Sequence, residues 1–309
     1  MAAISCTVNP GGGADYASLQ AAETGMQATY TDLVADGNTI TFNCAGGLDA
    51  NAVTIDGWTV DNAHYITVNV ATANRHDGNR ASGYRIAAAG GWGSSIFQSL
   101  INYTRLTGLS AYCSGGHGDE VAIKSTGTDT IIDSCLMYDV AGHGIQWEST
   151  GTIANSIAFG CGGRGFDIRN SVNLYAGTAI NNVYGIYCPL WGGTAVSKNI
   201  YCGGNATADI DNTGGAIMTF VTCATSDGSE GSTISVADCD FTNDTAGSEN
   251  IHIASTSDLV GIGTDLRADA AYHVTLDFEG DTRAAIPCIG ADEYIAAVTG
   301  NSNYYRMNQ

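Results

Sequence analysis

Short apolar runs separated by Gly, Ser, Thr, Asn and Asp recur along this chain, and in its middle third they recur at a fixed distance. A strand-like run restarts at Ile131 (TIIDSC), Ile153 (TIANSI), Leu174 (NLYAGT), Val196 (TAVSKN) and Ile217 (AIMTFV), at steps of 22, 21, 22 and 21 residues. A second run keeps phase with it: Gly144-Ile145-Gln146-Trp147, Gly165-Phe166-Asp167-Ile168 and Gly185-Ile186-Tyr187-Cys188. Turn residues such as Ala141-Gly142 and Gly162-Gly163 lie between them. A period near 21 is too short for paired-helix repeats, and the leucine-rich frame is absent. What fits is one coil of a solenoid built of strand, turn, strand, turn and strand.

The pattern therefore predicts an all-β chain: a single-stranded, right-handed parallel β-helix with a short N-terminal capping α-helix. Alternation along a strand assigns the faces. Ile145, Phe166 and Ile186 are expected to stack inward, as are Trp147, Ile168 and Cys188; Gln146, Asp167 and Tyr187 are expected to point outward. At ~4.8 Å per coil, residues 39–290 leave room for roughly eleven coils in a rod about 50 Å long. An open first coil needs a lid. Asp15 is placed to cap a helix through Tyr16–Ala22, with Leu19, Ala22 and Met26 at helical spacing. From Tyr294 the period is lost. Three parts are expected: segment and cap over 1–38, β-helix over 39–293, and a tail over 294–309.

Composition narrows the partners. The formal net charge is −20, with Lys124 and Lys198 the only lysines. Such a surface repels phosphate backbones and anionic bilayers, so neither nucleic acid nor membrane is an expected partner. The excess carboxylates serve solubility, or hold Ca²⁺, the one cofactor left open; no D-x-D-x-D-G run supports it. No apolar stretch approaches ~18 residues. Residues 1–13 (MAAISCTVNPGGG) lack a basic and an apolar region, so no secretory signal is expected at this start, whether the chain is used without export or already trimmed. Ten cysteines occur without C-x-x-C, which argues against zinc. Cys113 to Cys135 is 22 residues and Cys202 to Cys223 is 21, close to one coil. Stacking would bring each pair within disulfide range; reduced thiols packed as small apolar residues are the expectation for a chain assembled in a reducing cytoplasm.

Three segments carry a resemblance. GGGADYASLQAA resembles the cap of pectate-lyase-like β-helix repeat proteins, and residues 53–86 resemble early coils of such proteins in phage and bacterial genomes. DLVGIGTDL (258–266) followed by DFEGDTRAAIPCIGADEY (277–294) resembles their closing coil, with Cys288 where Asp is usual. The resemblance implies the fold, which hosts lyases, hydrolases, adhesins and phage spikes alike.

Three clusters are candidates for chemistry. His143, Arg164 and Tyr184 each precede the glycine of the second run, one coil apart, beside Gln146, Asp167 and Tyr187, with Glu148 and Arg169 placed to pair across one coil step. This strip offers aromatic faces to sugar rings and charges to hydroxyls or uronates, or is an ordinary solvated face. His117-Gly118-Asp119-Glu120 with Lys124 holds acids and a base, although adjacent carboxylates splay and a turn explains them as well. Arg75-His76-Asp77-Gly78-Asn79-Arg80 is the densest cationic cluster, either a seat for an anionic partner or a loop balanced by nearby carboxylates. No nucleophile and no catalytic residue stands out.

Three function classes follow. The first is a non-enzymatic structural protein of a phage virion, a capsid decoration or a spike- or fibre-like rod. It would form a homo-oligomer and contact other virion proteins through Tyr304, Tyr305 and Arg306 of the tail. The second is a polysaccharide lyase or glycoside hydrolase of acidic glycans. The third is a glycan-binding adhesin at the cell surface or outside the cell.

Overall fold

The computed structural model describes residues 2–80, 82–113, 115–189, 194–213, 217–229, 234–235, 239–243 and 250–295. The chain winds as a right-handed parallel β-helix with three parallel sheets. Each coil passes from a first sheet (Thr130–Asp133, Gly151–Ala154, Val172–Tyr175 in successive coils) to a second (Leu136–Tyr138, Ile157–Phe159, Thr178–Ile180). It then enters a third (His143–Trp147, Arg164–Ile168, Tyr184–Tyr187). Ile145, Phe166 and Ile186 stack one above another inside, wholly buried. Trp147, Ile168 and Cys188 are buried likewise.

The sharp bend between the first and second sheets is made by one residue per coil in the left-handed region: Ser134, Asn155, Ala176, Asn199 and Thr222, with φ between 46° and 55°. Asn and Ser tolerate this conformation because a short polar side chain bonds locally; Ala176 and Thr222 hold it against their own preference. Gly144 and Gly165 open the third-sheet strands because a Cβ there would press on the next strand's backbone and on Ala158 in the core.

Several expectations need correction. The first-sheet phase slips by one at Ile131 and Val196 and by three at Ile217, which pairs with Thr194. Ile131 stands over Thr152 on the outer face and Val196 over Asn173, so Ile132, Ile153, Leu174 and Ser197 are the inner ladder. A period of two makes a one-residue slip exchange faces, and apolar residues on both faces concealed it. The winding starts well before residue 39, since Ala2–Val8 pairs in parallel with Asn38–Cys44. Among the described residues it reaches Ile234–Ser235, not 290, with nine strands in the first and second sheets and seven in the third, not eleven coils. Early coils are longer than 21 residues: Phe42 lies on Val68, and Val68 on Leu106.

The capping helix, α1 (Leu19–Gln27), is capped by Ser18, whose Oγ accepts from Ala21 N at 3.2 Å, and not by Asp15, which accepts from Thr7 N at 2.8 Å. Leu19, Ala22 and Met26 join the solenoid core. The ten cysteines are free thiols. Cys113 and Cys135 lie at opposite ends of their paired strands, and Cys202 stands beside Thr225, not Cys223, so period alone misjudged both stacks.

Residues 258–294 form no closing coil. After a short antiparallel hairpin (Phe241–Asn243 with Asn250–Ile253), the chain runs back along the outside as a strap. Its Ile251, Ile253, Leu259, Phe278 and Ile289 cover Leu136, Tyr138, Ile157, Phe159, Ile180 and Tyr201, the outer apolar face of the second sheet. The bend residues form its seam. Asn155 Oδ1 accepts from Arg283 Nη2 at 3.0 Å, and Asn199 exchanges bonds of 2.8 and 2.7 Å with the backbone of Thr264. Arg283, 2% exposed, also donates to the carbonyls of Leu276, Gly290, Ala291 and Asp292 and pairs with Glu293. A buried guanidinium is tolerated because its donors are satisfied. The tail contacts expected at Tyr304, Tyr305 and Arg306 lie outside the described residues.

Candidate functional site

The strap packs on the second sheet and, at Ala154 and Tyr175, on the outer side of the first; the main sequence candidates stand on the outer face of the third. Gln98, Lys124, Gln146, Asp167, Tyr187 and Asp211 stand in register along that face, one per coil. Parallel in-register pairing makes residues one coil apart neighbours, so the sequence period becomes a column of side chains.

The column is less exposed than its outward direction suggests. Asp167 is fully buried and Gln146 nearly so, because the arginines of their own and the neighbouring turns lie over them. Asp167 Oδ2 accepts from Arg164 Nη1 at 2.9 Å, from Arg169 Nη2 at 2.8 Å and Nε at 3.1 Å, and from Gln146 Nε2 at 3.3 Å. Its Oδ1 is buried with no hydrogen-bond partner among the described residues. Glu148 Oε1 lies 3.3 Å from both Lys124 Nζ and Arg169 Nη1. The charged groups Lys124, Arg164, Arg169, Glu148, Asp167 and Asp211 balance to zero on this patch, on a chain of net charge −20.

The partly exposed members are His143, Glu148, Arg164, Arg169, Tyr184 and Tyr187. Arg164 lies flat over the Tyr187 ring at 3.7 Å, and Tyr184 tilts against Tyr187 at 5.5 Å. Stacking of this kind gives Arg a fixed plane. His143 Nδ1 accepts from Arg164 N at 3.1 Å. Burial, helped by the Arg164 and Arg169 charges and opposed by Asp167, holds the His143 pKa below its usual value, so the ring is neutral at neutral pH. The strip can meet a planar or anionic group. Asp167 and Glu148 are held by cations, whereas Asp211, in register with Tyr187, accepts from Thr213 N and Oγ1.

The other two sequence candidates separate. Asp119 is exposed while Glu120 is fully buried, its Oε2 accepting from Gly116 N at 3.2 Å, so the adjacent acids do splay. Lys124 turns to Glu148 and belongs to the strip. Above this loop Trp92, 79% exposed, tilts over His117. In the 75–80 loop the cations are structural: Arg75 Nε donates to the Val70 carbonyl, and Arg80 pairs with Asp139 and lies over Tyr138. His76 is buried, with Nε2 at 2.8 Å from the Ser134 carbonyl oxygen.

Sequence reading missed two features. A groove of about 470 Å³ beside the first sheet is lined by Thr130, Thr152, Ser171, Asn173, Thr194 and Tyr272. His252, Glu279 and Asp292 converge on one point of the strap, beside a cavity of about 690 Å³ lined by His76, Asp77, Glu279 and Asp281. Their signal in the sequence is the acidic DFEGD run, which the resemblance places in a closing coil.

No family model matches this chain, and no curated protein does. Among solved structures it is similar to the crystal structure of pectate lyase Pel9A, at 14% identity over 95% of this chain and 96% of that one, with a TM-score of 0.40. By its own strand pairing this chain is a parallel β-helix.

Proposed function

We propose that this chain is a non-enzymatic structural protein, a stiff β-helical rod that assembles as a homo-oligomer into a phage virion as a capsid decoration or a spike- or fibre-like element. What supports this most is the state of the open face: Asp167 and Glu148 are both consumed by ion pairs with Lys124, Arg164 and Arg169. A strip built this way suits holding a shape or a partner better than turning over a substrate. Its place is then the virion, after synthesis in the host cytoplasm. Electron microscopy of source particles labelled with antibody against the purified chain is the test. Surface labelling at regular positions is expected; label confined to cell envelopes, or none on any particle, overturns the proposal.

One observation favours a second reading, a glycan-binding surface protein. Tyr184 and Tyr187, with Arg164 over the Tyr187 ring, gather aromatic groups on a patch without net charge, on a chain of net charge −20. Glycan-array binding that survives His143→Ala and is lost in the double variant Tyr184→Ala/Tyr187→Ala would establish it. Release of unsaturated products from uronate polymers, with and without Ca²⁺, would instead indicate a lyase at the same strip.

A further inference from the structure

The strap brings three donor atoms together from distant positions in its sequence. His252 Nδ1 lies 3.3 Å from Asp292 Oδ1 and 3.6 Å from Glu279 Oε2, and the three donor atoms fall within 4.8 Å of one another. Each is held from behind. His252 Nε2 is 3.0 Å from the Asp77 carbonyl oxygen, an acceptor only, so that nitrogen carries a proton and Nδ1 faces the carboxylates. Phe278 stacks on the ring at 5.5 Å. Asp292 Oδ2 accepts from Ile253 N at 2.7 Å, which aims Oδ1 at the histidine. Glu279 rides on a tight loop whose amides at Glu279, Gly280 and Asp281 all donate to Asp277 Oδ1.

Two carboxylates converging on a ring nitrogen require a positive charge between them. Donors bound at ~2.0–2.2 Å to one small divalent ion lie about 3–3.5 Å apart, close to the two distances from Nδ1. The remaining edge closes by rotation of the Glu279 side chain, which is partly exposed. An imidazole donor with two carboxylates selects Zn²⁺ or Mn²⁺ over Ca²⁺ and Mg²⁺. A ring whose second nitrogen is fixed by a carbonyl is the ordinary outer support of a metal-bound histidine.

We propose that His252, Glu279 and Asp292 form a divalent transition-metal site that clamps the strap onto the 75–80 loop. One of the ligands, Glu279, lines the neighbouring cavity, from which water completes the shell.

The test uses the full chain after EDTA dialysis. Mn²⁺ is the probe because thiols bind it poorly and the chain has ten of them. Titration followed by electron paramagnetic resonance is expected to give one bound Mn²⁺ per chain, displaced by excess Zn²⁺. Hydrogen exchange within 250–295 is expected to slow on binding. Glu279→Gln and His252→Gln are each expected to weaken Mn²⁺ binding at least about tenfold. Glu279→Gln sits at the open side and leaves the fold intact. No stoichiometric binding below about 1 mM overturns the site, as does binding that both variants leave unchanged.

Discussion

Asp167 points away from the core and is nevertheless fully buried, because two arginines and a glutamine close over it. Removing its charge takes the shared carboxylate from the partly exposed Arg164 and Arg169 and leaves Arg169 with Glu148. Asp167→Asn is expected to lower unfolding free energy by about 3 kcal/mol, read as a shifted urea midpoint at constant slope; a shift under about 1 kcal/mol would mean that the network is screened like a surface pair. His76 carries a second consequence. Burial pushes its pKa down to about 4, while the unfolded chain keeps about 6.5. The unfolded state therefore binds the proton first on acidification. The contribution of neutral His76 is whole above pH 6.5 and is lost as pH falls toward 4, by about 2 kcal/mol between pH 6.5 and 4.5. Comparing wild type with His76→Gln in urea at those two pH values checks it; equal losses in both proteins would contradict the assignment.

At the scale of elements, the bend ladder has two jobs. Ser134, Asn155, Ala176, Asn199 and Thr222 turn each coil in the left-handed region, and Asn155 and Asn199 also hold the strap through their side chains. Arg283 ties the strap's own carbonyls to that ladder. Arg283→Ala is expected to cost the strap about 3–5 kcal/mol, since buried carbonyls and Glu293 lose their partner. The result should be faster hydrogen exchange over 250–295, with the strands at 143–147 and 164–168 unchanged. Uniform acceleration along the whole chain would show that strap and coils unfold as one unit.

At the scale of the molecule, one face of the solenoid is sealed by the strap and another carries the charged strip, so the rod has distinct sides. The apolar outer face of the second sheet makes the strap a requirement for solubility, because Leu136, Ile157, Phe159 and Ile180 would otherwise form one exposed stripe. A chain truncated at residue 249 is expected to self-associate in sedimentation experiments, whereas Ser18→Ala at the cap is expected to cost only about 1 kcal/mol and leave a monodisperse product. A monodisperse truncated chain would show that the strap is dispensable.

Residues one winding apart were readable as neighbours because hydrogen-bonded parallel strands convert a constant sequence step into vertical stacking; Ile145, Phe166 and Ile186 follow from that alone. The charged strip was legible for the same reason, down to which residues share a column. Burial of Asp167 was not, since it depends on arginine side chains folding back over an outward position. Nor was the inner phase at Ile131 and Val196, where apolar residues on both faces erase the period-two signal. The strap and the convergence of His252, Glu279 and Asp292 lay beyond any periodic reading: their partners are up to 175 residues away, as His252 is from Asp77. Local pattern decides which strands form and how they stack, while long-range packing decides which faces stay open, and the latter appears only once the chain has folded back on itself.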